Sequence, residues 1–215
     1  MEKLIQVESV AAPLMRINID TDAIIPSREM KRVSKSGLDE GLFAGWRYTL
    51  PGGREPNPDF VLNKPEYNDA KIILAGDNFG CGSSREHAVW ALHGFGIRVI
   101  IAPSFGSIFY QNCIRNGLLP VCLPAAEVSA LAAFVESAPL EHRLCVDLER
   151  CVVVAGEREL PFEIAENHRD MLLRGLDPIA LTLQHEAVIL AFEGAYYQAR
   201  PWLQAEPGRE APASR

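Results

Sequence analysis

The stretch "KIILAGDNFGCGSSREHAVWALHGFGIRVIIAPS", Lys71–Ser104, decides how the chain is built. Its ends, "KIILAG" and "RVIIAP", are short, continuously apolar runs, the pattern of strands covered on both faces. Between them Ala88, Ala91, Leu92 and Phe95 fall at i, i+3, i+4 and i+7 and mark one buried stripe of a helix. Strand, helix and strand in so short a span favour an α/β sheet with parallel pairs.

Downstream, Ser104 is predicted to cap a second helix, with Phe105, Ile108, Phe109 and Cys113 inward and Gly117 as its stop. After "LLPVCLP" (118–124), Val128, Leu131, Ala132 and Val135 mark one face of a third helix. Leu144, Val146 and Leu148, then Cys151, Val153 and Ala155, alternate across turns at "ER" and "GE", which reads as a hairpin or meander. Asp177-Pro178 reads as an N-cap and first helical residue, opening a mostly helical segment to about Gln198. Upstream, "LIQVESV" (4–10) reads as a first strand and "RINIDTDAIIP" (16–26) as a polar segment. From Ser27 to Tyr67 the periodicity fails among glycines and prolines, with one short helix expected around "LDEGLFAGW". So long an excursion is either a functional lid or interface element or a flexible surface loop.

At 215 residues the chain can bury roughly 70% of the surface its unfolded form exposes, so it needs no staple. Its 48% hydrophobic and 23% charged residues set it apart from fibrous and disordered classes. A net charge of -7 argues against a general nucleic-acid or acidic-membrane surface, because a phosphate footprint needs clustered Lys and Arg. Cys81, Cys113, Cys122, Cys145 and Cys151 are odd in number and include no C-x-x-C pair. Neither a disulfide framework nor a zinc or iron-sulfur ligand set is written locally, and most of the five read as buried thiols in a reducing compartment. The N-terminus has an acidic second residue and too short an apolar run for a signal peptide, and no segment approaches a membrane span. A cytoplasmic location is expected.

The bend "GCGSSREHA", Gly80–Ala88, carries the chemistry. Glycines there allow close approach to a ligand, and the free N–H groups of the first helical turn point into the same space, which is an anion site by geometry. Arg85 adds a planar fork suited to a carboxylate or phosphate. The bend matches neither G-x-G-x-x-G, nor a P-loop, nor the nucleophile elbow G-x-S-x-G. A second reading makes Ser83 and Glu86 a capping box, and the two roles can share one hydroxyl. A serine at a helix N-terminus sits in positive potential, where its alkoxide is less costly. Arg85 likewise reads as an anion binder or as a surface ion pair. His87, His93, His142, His168 and His185 read as packing or hydrogen-bonding residues.

Six segments in one order, "NIDTDAIIPSREM", "NPDFVLN", "DNFGCGSSREHAVWAL", "IAPSFGSIFYQN", "GLLPV" and "GLDPIALTLQH", resemble the small subunits of 3-isopropylmalate dehydratase, and the resemblance runs to about Pro201. It implies a swivelling β/β/α domain of the aconitase superfamily over residues 1–200, with a mixed sheet flanked by helices. The 27–67 excursion would serve substrate recognition or the interface, and 201–215 would form a flexible tail. It also implies a large partner that carries a 4Fe-4S cluster on its own cysteines, with no cofactor held by this chain. Residue by residue, Ser83 resembles the serine that takes the substrate proton as an alkoxide, Ser84 a neighbour that hydrogen-bonds the substrate or that serine, and Arg85 the carboxylate-binding arginine. Asp20, Thr21 and Asp22 match a segment near the active site, and Cys81 stands at a variable position with no role. The implied activity interconverts 2- and 3-isopropylmalate by dehydration and rehydration in leucine biosynthesis. A related hydro-lyase acting on citramalate, methylmaleate or homoaconitate is the alternative within the class. A non-catalytic anion-binding regulatory module is the alternative outside it.

Overall fold

Apolar runs covered on both faces and runs that alternate end up in separate sheets. The computed structural model describes residues 1–30, 37–83 and 85–203. Its strands are β1 (Gln6–Ser9), β2 (Ala11–Leu14), β3 (Ile72–Ala75), β4 (Val99–Ala102), β5 (Leu119–Cys122), β6 (Leu144–Asp147), β7 (Val152–Ala155) and β8 (Arg158–Pro161). Strands β2-β3-β4-β5 form a parallel sheet in that order, and every residue of β3 and β4 is buried. Strands β1-β6-β7-β8 form an antiparallel sheet, with Leu144, Val146, Val153 and Ala155 buried. The parallel and antiparallel ladders of the expected α/β fold are thus both present, divided between two sheets.

The strand expected over 4–10 is β1, and a second strand that the sequence reading did not expect, β2, follows it directly. The chain leaves β1, crosses at Val10 and joins the other sheet as β2, where Pro13 is tolerated because β2 is an edge strand. Ser9 secures the crossing: its buried hydroxyl donates to Asp69 O (3.0 Å) and accepts from Lys71 N (2.9 Å), at the entry to β3.

The helices of this part are α1 (Thr21–Ile24), α2 (Ala44–Arg47), α3 (Glu86–Phe95), α4 (Ser107–Arg115), α5 (Ala125–Ser137) and α6 (Glu166–Arg174). In α5 the buried side chains are Val128, Leu131, Ala132 and Val135, as the spacing predicts, and the helix packs on β2, β3 and β4. In α3 Val89 replaces Phe95 in the buried set, and Phe95 instead meets the Arg47 guanidinium 4.6 Å from its ring centre. In α4, which begins at Ser107, the inward residues are Phe109, Asn112, Cys113 and Ile114, while Ile108 is exposed, so the inward set expected from the spacing is corrected at Ile108. Gly117 follows the Asn116 C-cap at φ +78°, the left-handed stop the sequence predicts.

The described part of the 27–67 excursion has its own core. Phe43 is fully buried, stacks on Trp46 (5.7 Å between ring centres) and meets Phe60 (5.8 Å), with Leu38, Leu42, Leu62 and Tyr67 also buried. The flexible-loop reading therefore fails for these residues, because that much apolar surface removed from water fixes the segment in place. The expected short helix near 38–46 appears as a 3-10 turn at Asp39–Gly41 followed by α2.

The chain divides into two compact units, Met1–Asp177 and Pro178–Arg215, where the sequence reading takes 1–200 as one domain and 201–215 as a tail. The second unit holds α7 (Pro178–Leu183), α8 (Glu186–Ala199) and a 3-10 turn at Pro201–Leu203, none with a buried residue. Residues 204–215 of the expected tail lie outside the described residues. Among the described residues no helix is long and apolar enough to cross a membrane. Of the cysteines only Cys113 is buried. Cys122 is exposed at the end of β5, and Cys81, Cys145 and Cys151 are half-buried, so the reading of most as buried thiols is corrected.

Candidate active site

Parallel strands deliver their following loops to one edge of a sheet, and ligands of open α/β sheets bind outside those carboxyl ends. Here the segments after β2, β3 and β4 are tied together at that edge. Asn18 N donates to Asp77 O (2.8 Å), Gly80 N to Ile19 O (2.7 Å) and Phe79 N to Ser104 O (3.0 Å). Asn18 and Asn78, both at positive φ, share an amide hydrogen bond of 2.8 Å. Ser104 is no helix cap: its hydroxyl donates to Asp77 Oδ1 (3.2 Å) and accepts from Asn78 N (2.9 Å). Below the bend lies Phe109. A Cβ on Gly80 (φ +72°) would fall 2.1 Å from that ring, so only glycine fits.

The start of α1 meets the bend residue for residue. Asp20 bridges Cys81 in parallel fashion, and Thr21 N donates to Cys81 O (3.0 Å). The Thr21 hydroxyl donates to Ser83 O (3.2 Å) and lies 3.3 Å from Ser83 Oγ. Arg85 Nη1 donates to Asp22 Oδ1. That hydrogen bond holds the Asp22 carboxyl below its ordinary value against the opposing effect of burial, helped by a second from Ser27 Oγ (3.1 Å). Asp20 caps α1 through Ala23 N (2.6 Å), which fixes the three side chains relative to one another. The polar run "NIDTD" after a strand was the sequence signal for this contact, but nothing in its spacing names residues so far along the chain as its partners.

The capping box is corrected. Helix α3 begins at Glu86, its N-cap is Arg85, and no side chain among the described residues caps it. Gly82 at φ +91° turns the chain so that Ser83 O accepts from Arg85 N (2.8 Å), one turn ahead of the helix. The Glu86 carboxylate accepts from Asn116 Nδ2 (2.7 Å) instead of the bend. Ser83 is exposed and Arg85 half-exposed; Ser84 lies outside the described residues. His87 packs on the Trp90 ring (4.8 Å), His142 on Phe134 (4.1 Å) and His168 on Tyr110 (5.9 Å), in keeping with packing roles. In the excursion a cavity of about 290 Å³ is lined by Arg28, Glu29, Glu40 and Arg54, with Arg54 paired to Glu29 at 2.7 Å. Among the described residues no three His, Cys, Asp or Glu side chains come together where they could hold a metal ion.

The parallel and antiparallel sheets and the serine-arginine bend define an aconitase-type swivel domain, and residues 1–126 match the family model of the aconitase C-terminal domain. Residues 179–206 match the model of the C-terminal domain of 3-isopropylmalate dehydratase small subunits. The chain is 62% identical to the 3-isopropylmalate dehydratase small subunit of Cupriavidus necator, over 94% of this chain and 98% of that one. It is 49% identical to that of Methylibium petroleiphilum, over 90% and 93%. The solved structure of 3-isopropylmalate dehydratase (leuD) from Methanocaldococcus jannaschii superposes with a TM-score of 0.62 at 25% identity, covering 87% of this chain and 99% of that one. The chain belongs to the 3-isopropylmalate dehydratase small-subunit family.

Proposed function

We propose that this chain, joined to a large cluster-bearing subunit, interconverts 2- and 3-isopropylmalate through an alkene, with Ser83 as base and Arg85 as carboxylate binder. The observation that carries the reading is the register of Asp20, Thr21 and Asp22 on Cys81, Ser83 and Arg85 at the carboxyl edge of the parallel sheet. It fixes a hydroxyl and a guanidinium on one short bend while leaving both accessible. The Ser83 alkoxide takes a proton from the carbon alpha to a carboxylate, the C–H electron pair becomes the new double bond, and the neighbouring hydroxyl leaves with its bonding pair; that hydroxide and the proton now on Ser83 together make up the water lost. Adding water back in the opposite sense gives the other isomer. Arg85 neutralises the carboxylate on which negative charge builds as the proton leaves. The positive end of α3 lowers the cost of charge on the oxygen just ahead of it. When bound in the partner, the 4Fe-4S cluster supplies a Lewis acid to the departing hydroxyl. Ser84, beside the base in the chain, is proposed to hydrogen-bond the substrate or Ser83.

Because Ser83 caps nothing, Ser83→Ala and Ser83→Gly should each melt within about 0.5 kcal/mol of the parent. Loss of a general base removes on the order of 100-fold to 10,000-fold in rate. The expected result is a variant that assembles with the large subunit and barely forms alkene from isopropylmalate. Near-parental turnover in the assembled variant would move the base elsewhere, first to Ser84.

A further inference from the structure

We propose that Thr21 is a positioning residue for Ser83, whose hydroxyl it orients in the resting enzyme and whose alkoxide it stabilises during turnover. This rests on the reading of Ser83 as the base. Thr21 is 2% exposed and one of only three buried polar side chains among the described residues. Another of them, Ser9, spends its hydroxyl on two backbone groups. Thr21 turns its hydroxyl to one residue, with Ser83 O at 3.2 Å and Ser83 Oγ at 3.3 Å.

A hydroxyl has one proton to give, so Thr21 can donate to only one of the two oxygens at a time. In the resting state its proton goes to Ser83 O, and the Ser83 hydroxyl can donate to Thr21 Oγ1. Once Ser83 has lost its proton, its oxygen can only accept. The Thr21 proton then moves by rotation alone from Ser83 O to Ser83 Oγ, making a charge-assisted hydrogen bond. Ser83 O is not orphaned by that rotation, because Arg85 N continues to donate to it at 2.8 Å. A hydrogen bond made to the charged form of a group favours that form, which is what a serine base requires. The site holds Thr21 for this purpose: its backbone N is tied to Cys81 O, its predecessor Asp20 to Cys81 and its successor Asp22 to Arg85, and a β-branched side chain has little χ1 freedom.

The test uses the assembled two-subunit enzyme with isopropylmalate, protonated or deuterated at the carbon that loses its proton. Thr21→Val keeps the shape and removes the hydroxyl, while Thr21→Ser keeps the hydroxyl and removes the methyl. Thr21→Val is expected to lower kcat by about 10- to 100-fold, the worth of one hydrogen bond to a charged group, with KM little changed and a larger deuterium effect on kcat. Thr21→Ser should recover most of the rate. Should Thr21→Val fail to assemble, Thr21→Cys, similar in size with a weak donor, is expected to show the same loss in kcat. A Thr21→Val enzyme at parental kcat, or a Thr21→Ser enzyme as slow as Thr21→Val, overturns the proposal. Ser83→Gly in parallel separates the two ideas. An inactive Ser83→Gly beside a fully active Thr21→Val removes only the role of Thr21, whereas an active Ser83→Gly removes the base on which it rests.

Discussion

Asp22 and Arg85 form a contact whose weight for stability differs from the weight it would carry in the proposed site. The pair is a surface ion pair as it stands, with the Asp22 side chain 55% exposed, so its contribution to stability is about 0–1 kcal/mol. Its effect on the site is larger, since it commits Arg85 Nη1 to Asp22 and so fixes the plane of the fork. A lysine at 85 could keep the charge but not a bidentate grip. Arg85→Lys is therefore expected to fold normally and lose about 1.5–3 kcal/mol in kcat/KM, read from steady-state kinetics. Asp22 also makes a pH prediction. Its folded pKa lies below its unfolded one, so the stabilisation is complete above the ordinary aspartate value of about 3.9 and disappears as pH falls through the folded value. Urea midpoints of the parent and Asp22→Asn should differ slightly at pH 7, and the difference should shrink as pH falls below about 3.9.

At the scale of elements, the bend depends on what lies beneath it. β3 ends at Ala75, and the chain must reverse over Phe109 of α4 before α3 can start at Glu86. Gly80 meets two demands at once, a left-handed φ and a ring in the place of a Cβ. Gly82 meets only the first, as its nearest would-be neighbour, Asp20 Cβ, is an ordinary 3.5 Å away. Gly80→Ala should therefore cost about 2–4 kcal/mol, from backbone strain and forced repacking together, and Gly82→Ala only about 1–2 kcal/mol. Chemical denaturation of the two variants tests this. If Gly82→Ala proves the more damaging, the packing of the bend on Phe109 is not what holds it.

At the scale of the whole molecule, the proposed proton acceptor Ser83 and the proposed carboxylate binder Arg85 lie on this chain, while the described residues gather no set of metal ligands. The chain alone is expected to form no alkene from isopropylmalate and to carry no stoichiometric iron. Adding the purified large subunit with its cluster should establish turnover. Iron bound at a one-to-one ratio together with activity in the isolated chain would contradict this division of labour.

The sequence by itself determined the elements whose cause is local. The apolar runs of β3 and β4, the stripe Val128, Leu131, Ala132 and Val135 and the Asp177-Pro178 helix start each follow from residues within a few positions of one another. It also pointed to the bend, because glycines, serines and an arginine in that order have few other uses. Tertiary structure decided what depends on distant partners. It split "LIQVESVAAPL" between two sheets through Ser9 and the 69–71 backbone. It took Ser104 from the helix it could have capped, because Asp77 and Asn78 offered that hydroxyl both an acceptor and a donor. It released Ser83 from the capping box, because Asn116 reached Glu86 first and Gly82 turned the chain ahead of the helix. Capping is a competition among hydrogen-bond partners, and a sequence shows only those partners that are near in the chain.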